Sequence, residues 1–113
     1  MNNISDDNVG EILKKSEYHF FYFSARWCGP CKSLLPLVEE LSNRNTNENL
    51  IFHYVDIDTN DKLCDSCKIK QVPSYAVIKD KKVLGIDTGA NITKVGNLLK
   101  ECLNKDTLNI LKS

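Results

Sequence analysis

The pattern of apolar and polar positions divides the chain into alternating strands and helices. Tyr18–Ser24 reads YHFFYFS and is almost continuously apolar and aromatic. Such a run is typical of a strand that is buried on both faces of a mostly parallel sheet. Leu50–Ile57, LIFHYVDI, has the same character, so the sequence predicts two buried strands with a helix-length segment between them.

Apolar residues recur at helical spacing in the segment between these strands. The stripe that follows Cys28 consists of Cys31, Leu34, Leu35, Val38 and Leu41. Pro36 interrupts this predicted helix and should bend it, because proline has no backbone N–H to donate. Shorter helices are predicted over residues 5–16 and 61–67, and a last helix from Ile92 to about Asn104.

The second half of the chain adds a hairpin. Ser74–Ile78 and Lys82–Ile86 read as strands joined by a turn at residues 79–81, which predicts an antiparallel pair. The Asn-rich stretch Asn43–Asn49 is predicted to be a loop. We therefore expect one α/β domain over residues 1–105, with a central mixed sheet flanked by helices on both faces, and a short tail over 106–113.

Composition excludes several classes of function. A chain of 113 residues forms one domain, and its 42% hydrophobic and 27% charged residues are ordinary for a globular protein. Lys plus Arg equals Asp plus Glu at 15 each, so no net field favours nucleic acid or an anionic membrane. The N-terminus has no apolar signal segment and no run reaches transmembrane length, so we expect a cytoplasmic protein.

Five cysteines, two pairs and Cys102, define the candidate chemistry. A C-x-x-C pair in a chain expected to be intracellular indicates redox chemistry or metal binding. The pairs are Cys28 with Cys31 and Cys64 with Cys67, separated by 32 residues. This gap exceeds the spacing of zinc ribbons, so a four-cysteine zinc site is the least favoured interpretation.

Cys28 stands where a buried strand ends and a helix begins. Unpaired N–H groups and the positive end of the helix dipole at this position favour thiolate over thiol. A thiolate is the nucleophile of thiol–disulfide exchange. Cys31 follows one turn later on the apolar stripe, so we expect Cys28 to be the exposed, attacking sulfur and Cys31 the sheltered, resolving one. Gly29 and Pro30 shape the turn between them.

The run Trp27-Cys28-Gly29-Pro30-Cys31-Lys32 resembles the active-site signature of the thioredoxin family, and the resemblance extends over about Ile4 to Asn104. Pro36 resembles the family's helix-kinking proline and Val72-Pro73-Ser74 its cis-proline segment. Gly85 and Gly89-Ala90-Asn91 resemble the glycines after its last two strands. The resemblance implies a thioredoxin fold and a protein-disulfide reductase that contributes to cellular redox homeostasis, with no bound cofactor or metal.

The same resemblance implies roles for individual residues and partners. Trp27 should pack over the dithiol and line a substrate groove with Val72, Pro73 and Gly89. Pro73, in the cis form, should place the Val72 backbone against Cys28. Electrons would come from NADPH through a thioredoxin reductase, the clients would be disulfide-bearing proteins such as peroxiredoxins, and the chain would act as a monomer.

Tyr22 departs from the family pattern. Thioredoxins usually have a buried aspartate at this position, and a lysine that pairs with it aligns with Tyr54. Losing both charges together is physically coherent, since one unpaired buried charge is costly. The tryparedoxin and nucleoredoxin branch also has tyrosine here. We hypothesise that Cys31 relies on solvent or a weak phenol as its base, whereas the simpler alternative is that Tyr22 only fills the core.

Some interpretations stay open at this point. Cys64 and Cys67 are candidates for a secondary redox pair, but ordinary thiols or a structural disulfide fit nearly as well. His19 and His53 lie within strands and read as structural residues. Two alternative functions are a disulfide isomerase or oxidase and a binding module with incidental redox activity. Gly-Pro between the cysteines favours a reduction potential at the reducing end of the family's range.

Overall fold

The computed structural model describes the backbone of residues 1–15 and 17–112 and the side chains of residues 1–15 and 17–104. Over this part of the chain there are five strands and four helices. The strands are β1 (Asn2–Asn3), β2 (Tyr18–Ser24), β3 (Leu50–Asp56), β4 (Ser74–Lys79) and β5 (Lys82–Thr88). The helices are α1 (Val9–Ile12), α2 (Gly29–Arg44), α3 (Asp61–Ser66) and α4 (Ile92–Lys112).

The strands form one mixed sheet in the order β1-β3-β2-β4-β5. β1 and β2 both run parallel to β3, whereas β4 is antiparallel to β2 and β5 to β4. Every residue of β2 is buried, because this strand has neighbours on both edges and helices on both faces. The predicted mixed sheet with helices on both faces is confirmed.

The two faces of the sheet hold different side chains. One face, which we call the α2 face, packs Phe20, Tyr22 and Tyr75 against Leu34 of α2 and against α4, including Val95. The other, the α3 face, packs Phe21, Phe23, Val55 and Ala76 against α1 and against Leu63 of α3. Because successive side chains of a strand point to opposite faces, one aromatic strand fills both halves of the core.

Several elements differ from their predicted bounds. α1 has only four residues, and β1 pairs with β3 although its two asparagines give no strand signal. α2 continues to Arg44, into the stretch predicted to be a loop. α4 continues to Lys112, past the predicted division between domain and tail at residue 105. The side chains of residues 105–113 lie outside the described part, so that division stays a prediction.

Close packing of β5 against α4 explains one of the glycines. A Cβ atom on Gly85 would lie 2.8 Å from Cys102 Sγ and 2.9 Å from Leu98 Cδ1, inside van der Waals contact. A side chain at this position would therefore force the Cys102 and Leu98 side chains to shift. In the part of the chain that the structure describes, no helix is both long and apolar enough to cross a membrane.

Candidate active site

Cys28 and Cys31 stand at the start of α2, directly beyond the carboxyl end of β2. Cys28 is the N-cap residue with extended backbone angles, and Pro30 lies in the first helical turn. The two cysteines form a disulfide with their Cα atoms 5.3 Å apart. The Cys31 N–H points at Cys28 Sγ over 3.2 Å. This N–H group of the helix start therefore faces the Cys28 sulfur, and the arrangement stabilises negative charge there.

The two sulfurs are not equivalent. The exposed fraction of Cys28 is 6%, whereas Cys31 is completely buried. Ala25 shares their small cluster, with Ile57 and Val72 packed beside it. Cys28 is less exposed than the sequence suggested, because these side chains close around it, but it is the member of the pair that solvent reaches.

The Val72–Pro73 peptide is cis, as the resemblance implied. It places the Val72 carbonyl oxygen 3.9 Å from Cys28 Sγ. The Pro73 carbonyl accepts hydrogen bonds from the Gly89 N–H at 3.1 Å and from the Thr88 hydroxyl at 2.8 Å. Gly89 has φ +114°, which favours glycine, so its lack of a side chain allows this contact. The loop beside the disulfide is thus held by the end of β5.

A groove of about 390 Å³ adjoins the disulfide and is mainly apolar. It is lined by Trp27, Ile57, Cys64, Ile69, Lys70, Gln71 and Val72. Trp27 and Val72 thus meet in one groove, whereas Pro73 and Gly89 are not among its lining residues. That this groove binds substrate stays a prediction. The indole of Trp27 is 67% exposed, and its N–H donates to the Asp58 carboxylate at 3.1 Å. Sequence reasoning missed Asp58, whose only signal was its position just after a parallel strand.

Tyr22 lies beneath the start of α2 and is completely buried. Its hydroxyl donates to the Cys31 carbonyl oxygen at 2.7 Å. Burial raises the pKa of this phenol well above its usual range, and the negative charges that Tyr54 and Tyr75 would carry raise it further. The phenol is therefore neutral near pH 7 and its hydroxyl donates to the Cys31 carbonyl, which favours solvent over Tyr22 as the acceptor of the Cys31 proton; the identity of that base stays a prediction.

The second C-x-x-C pair lies on the α3 face. Cys64 is half-buried and lines the groove, and Cys67 is buried at the C-terminal end of α3. Both are thiols in this structure. Burial, followed by the charges of Asp6 and Asp61, raises the pKa of Cys64 to about 11. Burial also raises the pKa of Cys67. This environment opposes the formation of a thiolate.

The structure provides no metal-binding cluster within its described residues, counting groups of three or more His, Cys, Asp or Glu side chains. His19 and His53 are buried in neighbouring strands, as predicted, and unexpectedly contact each other, Nδ1 to Nε2, at 2.9 Å. Nδ1 of His53 has no hydrogen-bond partner. We therefore interpret the two histidines as part of the core.

Comparison with known proteins places this site in a family. The thioredoxin family model matches residues 1–101. The chain belongs to the thioredoxin family. It is 30% identical over 97 residues to thioredoxin from Coprinus comatus, covering 86% of this chain and 92% of that one. It is 35% identical over 79 residues to Homo sapiens thioredoxin, covering 70% and 73%.

Solved thioredoxin structures have the same architecture. Thioredoxin from Fasciola hepatica superimposes with a TM-score of 0.81 at 27% identity, covering 89% of this chain and 98% of that one. The Plasmodium falciparum protein gives the same values. With its C-x-x-C disulfide, this member of the family is a thioredoxin-type protein-disulfide oxidoreductase. Thioredoxins need no prosthetic group, and they work with a reductase and disulfide-bearing client proteins.

Proposed function

We propose that this chain works in the reducing direction, with Cys28 as the attacking thiolate and Cys31 as the resolving thiol. The observation that supports these roles is the difference between the two sulfurs. Cys28 caps α2, receives the Cys31 N–H and retains some exposure, whereas Cys31 is completely buried. A client disulfide can therefore reach Cys28 first, and the nucleophile is the sulfur that the helix start stabilises.

The reaction takes two exchange steps from the reduced dithiol. The Cys28 thiolate attacks one client sulfur, and the other leaves as a thiolate with the electron pair of the broken bond. Cys31 then attacks the Cys28 sulfur, forms the 28–31 bond and releases the second client sulfur. The client gains two electrons and the protein becomes the disulfide seen in this structure.

The groove and the fixed Trp27 support the idea that clients are peptide segments beside the disulfide. An extended client segment would lie against the Val72 backbone, with an apolar side chain in the groove. The clients would include peroxiredoxins, and electrons would come from NADPH through a thioredoxin reductase. In this proposal the protein is a cytoplasmic monomer that carries out electron transport for redox homeostasis.

A coupled assay tests the proposal: NADPH oxidation is measured with thioredoxin reductase, this protein and insulin as the disulfide substrate. Cys28→Ser should reduce turnover to the uncatalysed background, because the attacking sulfur is lost. Cys67→Ser is the matched control, since it removes a buried thiol of the other pair and should keep turnover within about twofold. Equal losses in the two variants, or no turnover by the unmodified chain, would overturn the proposal.

A further inference from the structure

Three tyrosines lie side by side on the α2 face of the sheet. Tyr54 on β3 and Tyr75 on β4 flank Tyr22 on β2 in the strand register. The Tyr22 and Tyr54 rings are 6.3 Å apart. The Tyr22 hydroxyl donates to the Cys31 carbonyl, and the Tyr75 hydroxyl donates to the Gly89 carbonyl at 3.1 Å. Tyr22 thus ties the backbone of the disulfide to the sheet, whereas Tyr75 bonds to the residue that follows β5.

The tie at Cys31 has particular importance because of Pro36. Proline cannot donate the backbone hydrogen bond that the Lys32 carbonyl would otherwise accept in the helix. The first turns of α2 are therefore joined to the rest of the helix by one bond fewer. The Tyr22 hydroxyl supplies a bond at the neighbouring carbonyl, and it comes from the most buried strand of the sheet.

Both backbone polar groups of Cys31 thus have a defined partner. Its N–H points at Cys28 Sγ and its carbonyl accepts from Tyr22. Bonds on both sides of the residue fix its backbone and so the direction of its Cα–Cβ bond, from which the sulfur projects. In an exchange reaction the attacking sulfur must lie in line with the bond that breaks, so the orientation of Cys31 sets the rate of resolution.

We propose that Tyr22 is a positioning residue for the resolving step, in which its hydroxyl fixes the Cys31 backbone so that this sulfur attacks Cys28. The inference rests on the proposed function and adds a role that the attacking cysteine does not explain. Tyr22 contacts no substrate and transfers no proton. It acts through Cys31 alone.

The bonds and protons of the resolving step balance without Tyr22. The Cys31 sulfur forms a bond to Cys28 Sγ as the bond from Cys28 to the client breaks, and the client sulfur leaves with the electron pair. The Cys31 proton goes to solvent or to the departing client thiolate. The titratable groups around the Tyr22 hydroxyl are Tyr54 on β3, Tyr75 on β4 and Cys31 on α2, and none is a carboxylate.

The test uses dithiobis(nitrobenzoate), a small disulfide whose released thiolate is coloured. The reduced protein should release a first equivalent when Cys28 attacks and a second when Cys31 resolves, so stopped flow separates the two steps. Tyr22→Phe removes only the hydroxyl. We expect it to slow the second phase about fivefold, the worth of one hydrogen bond, and to change the first by less than about twofold.

Tyr75→Phe is the matched control, because it removes the hydroxyl of another completely buried tyrosine of the same row, one that bonds to Gly89 and not to Cys31. It should lower thermal stability about as much as Tyr22→Phe but leave the second phase unchanged. The rate of the second phase in Tyr22→Phe should depend on pH in the same way as in the unmodified protein, but it should be lower at every pH. A structural role alone would lower stability in both variants and slow neither.

The possible results separate the positioning role of Tyr22 from the proposed function. If Tyr22→Phe loses stability but resolves at the original rate, the positioning role is wrong. If it loses an inflection in the pH profile, Tyr22 takes part in proton transfer and the proposal is also wrong. If the unmodified protein shows no first phase, the proposed function fails instead, so the two failures are distinguishable.

Discussion

The two C-x-x-C pairs have identical spacing and opposite surroundings. Cys28 caps the start of α2 on the Tyr22 side of the sheet, where N–H groups face its sulfur. Cys67 caps the end of α3 on the other side, one turn after Cys64, where burial and then the charges of Asp6 and Asp61 raise the pKa of Cys64. A helix start stabilises a thiolate, and its end opposes one. The surroundings of each pair, which are a helix start for Cys28 and burial beside carboxylates for Cys64, and not the shared spacing, therefore decide the chemistry.

The largest expected difference is in alkylation of the reduced protein. At pH 7 a thiol with a pKa of about 11 is thiolate in about one molecule in ten thousand. A cysteine at a helix start is thiolate to a large extent at the same pH. Iodoacetamide should therefore label Cys28 about a thousandfold faster than Cys64, as followed by mass spectrometry of the two peptides.

The labelling rate of Cys64 should rise about tenfold for each pH unit up to pH 10, because its thiolate fraction does so. Reduced protein labelled in urea is the control, since unfolding makes the two thiols equivalent. Equal labelling rates of Cys28 and Cys64 in the folded protein at pH 7 would contradict the difference in thiolate stability between the two pairs.

Acid should distinguish the two faces of the sheet, because His53 lies on the α3 face, against Phe21. Burial, with repulsion from His19 and the N-terminal amine, lowers the pKa of His53 to about 4. The unfolded chain binds this proton below about pH 6.5, so the free energy of unfolding should fall between pH 6.5 and 4, by up to about 3 kcal/mol. On the α2 face Tyr22 and Tyr75 have raised pKa values and stay neutral in acid.

Urea unfolding between pH 7 and 4 measures this loss. The double variant His19→Leu with His53→Leu removes both members of the pair and should flatten the decline, since replacing both partners by apolar groups costs little. An unchanged decline in the double variant would assign the acid sensitivity to other groups.

The smallest expected effect comes from one surface charge near the second pair. Asp61 is exposed and contributes to the raised pKa of Cys64 after burial and Asp6. Asp61→Asn should speed Cys64 alkylation about twofold to threefold at pH 8, because exposed charges act weakly. Asp7→Asn, an exposed acid outside the groups that act on Cys64, is the matched control. A response of equal size in both variants would contradict the local charge effect.

Much of the fold was predictable because its signals are local. β2 has its predicted bounds, since an apolar run that ends in polar residues defines a buried strand. β1 could not be predicted: Asn2 and Asn3 carry no strand signal, and only their backbone pairing with His53 and Tyr54 makes them a strand. α1 is shorter than its helical pattern suggested.

The site was predictable where one motif places several residues together. The start of α2 fixes Cys28 and Cys31 within a single turn. Contacts between distant segments were not predictable. The Asp6 carboxylate accepts hydrogen bonds from the N–H groups of Lys62 and Leu63 at the start of α3. The Tyr22 hydroxyl reaches Cys31 only because α2 packs over β2. Such contacts depend on packing, to which a single sequence gives no direct signal.

The most direct test of the central claim maps where a client disulfide is captured. Cys31→Ser cannot resolve, so its Cys28 thiolate should attack a disulfide of native insulin, release one insulin sulfur as a thiolate and hold the other as a mixed disulfide. Proteolysis without reduction, followed by mass spectrometry, identifies the bonded cysteine. We expect a mixed disulfide on Cys28 alone. A client bonded to Cys64 or Cys67 in comparable amount would contradict it.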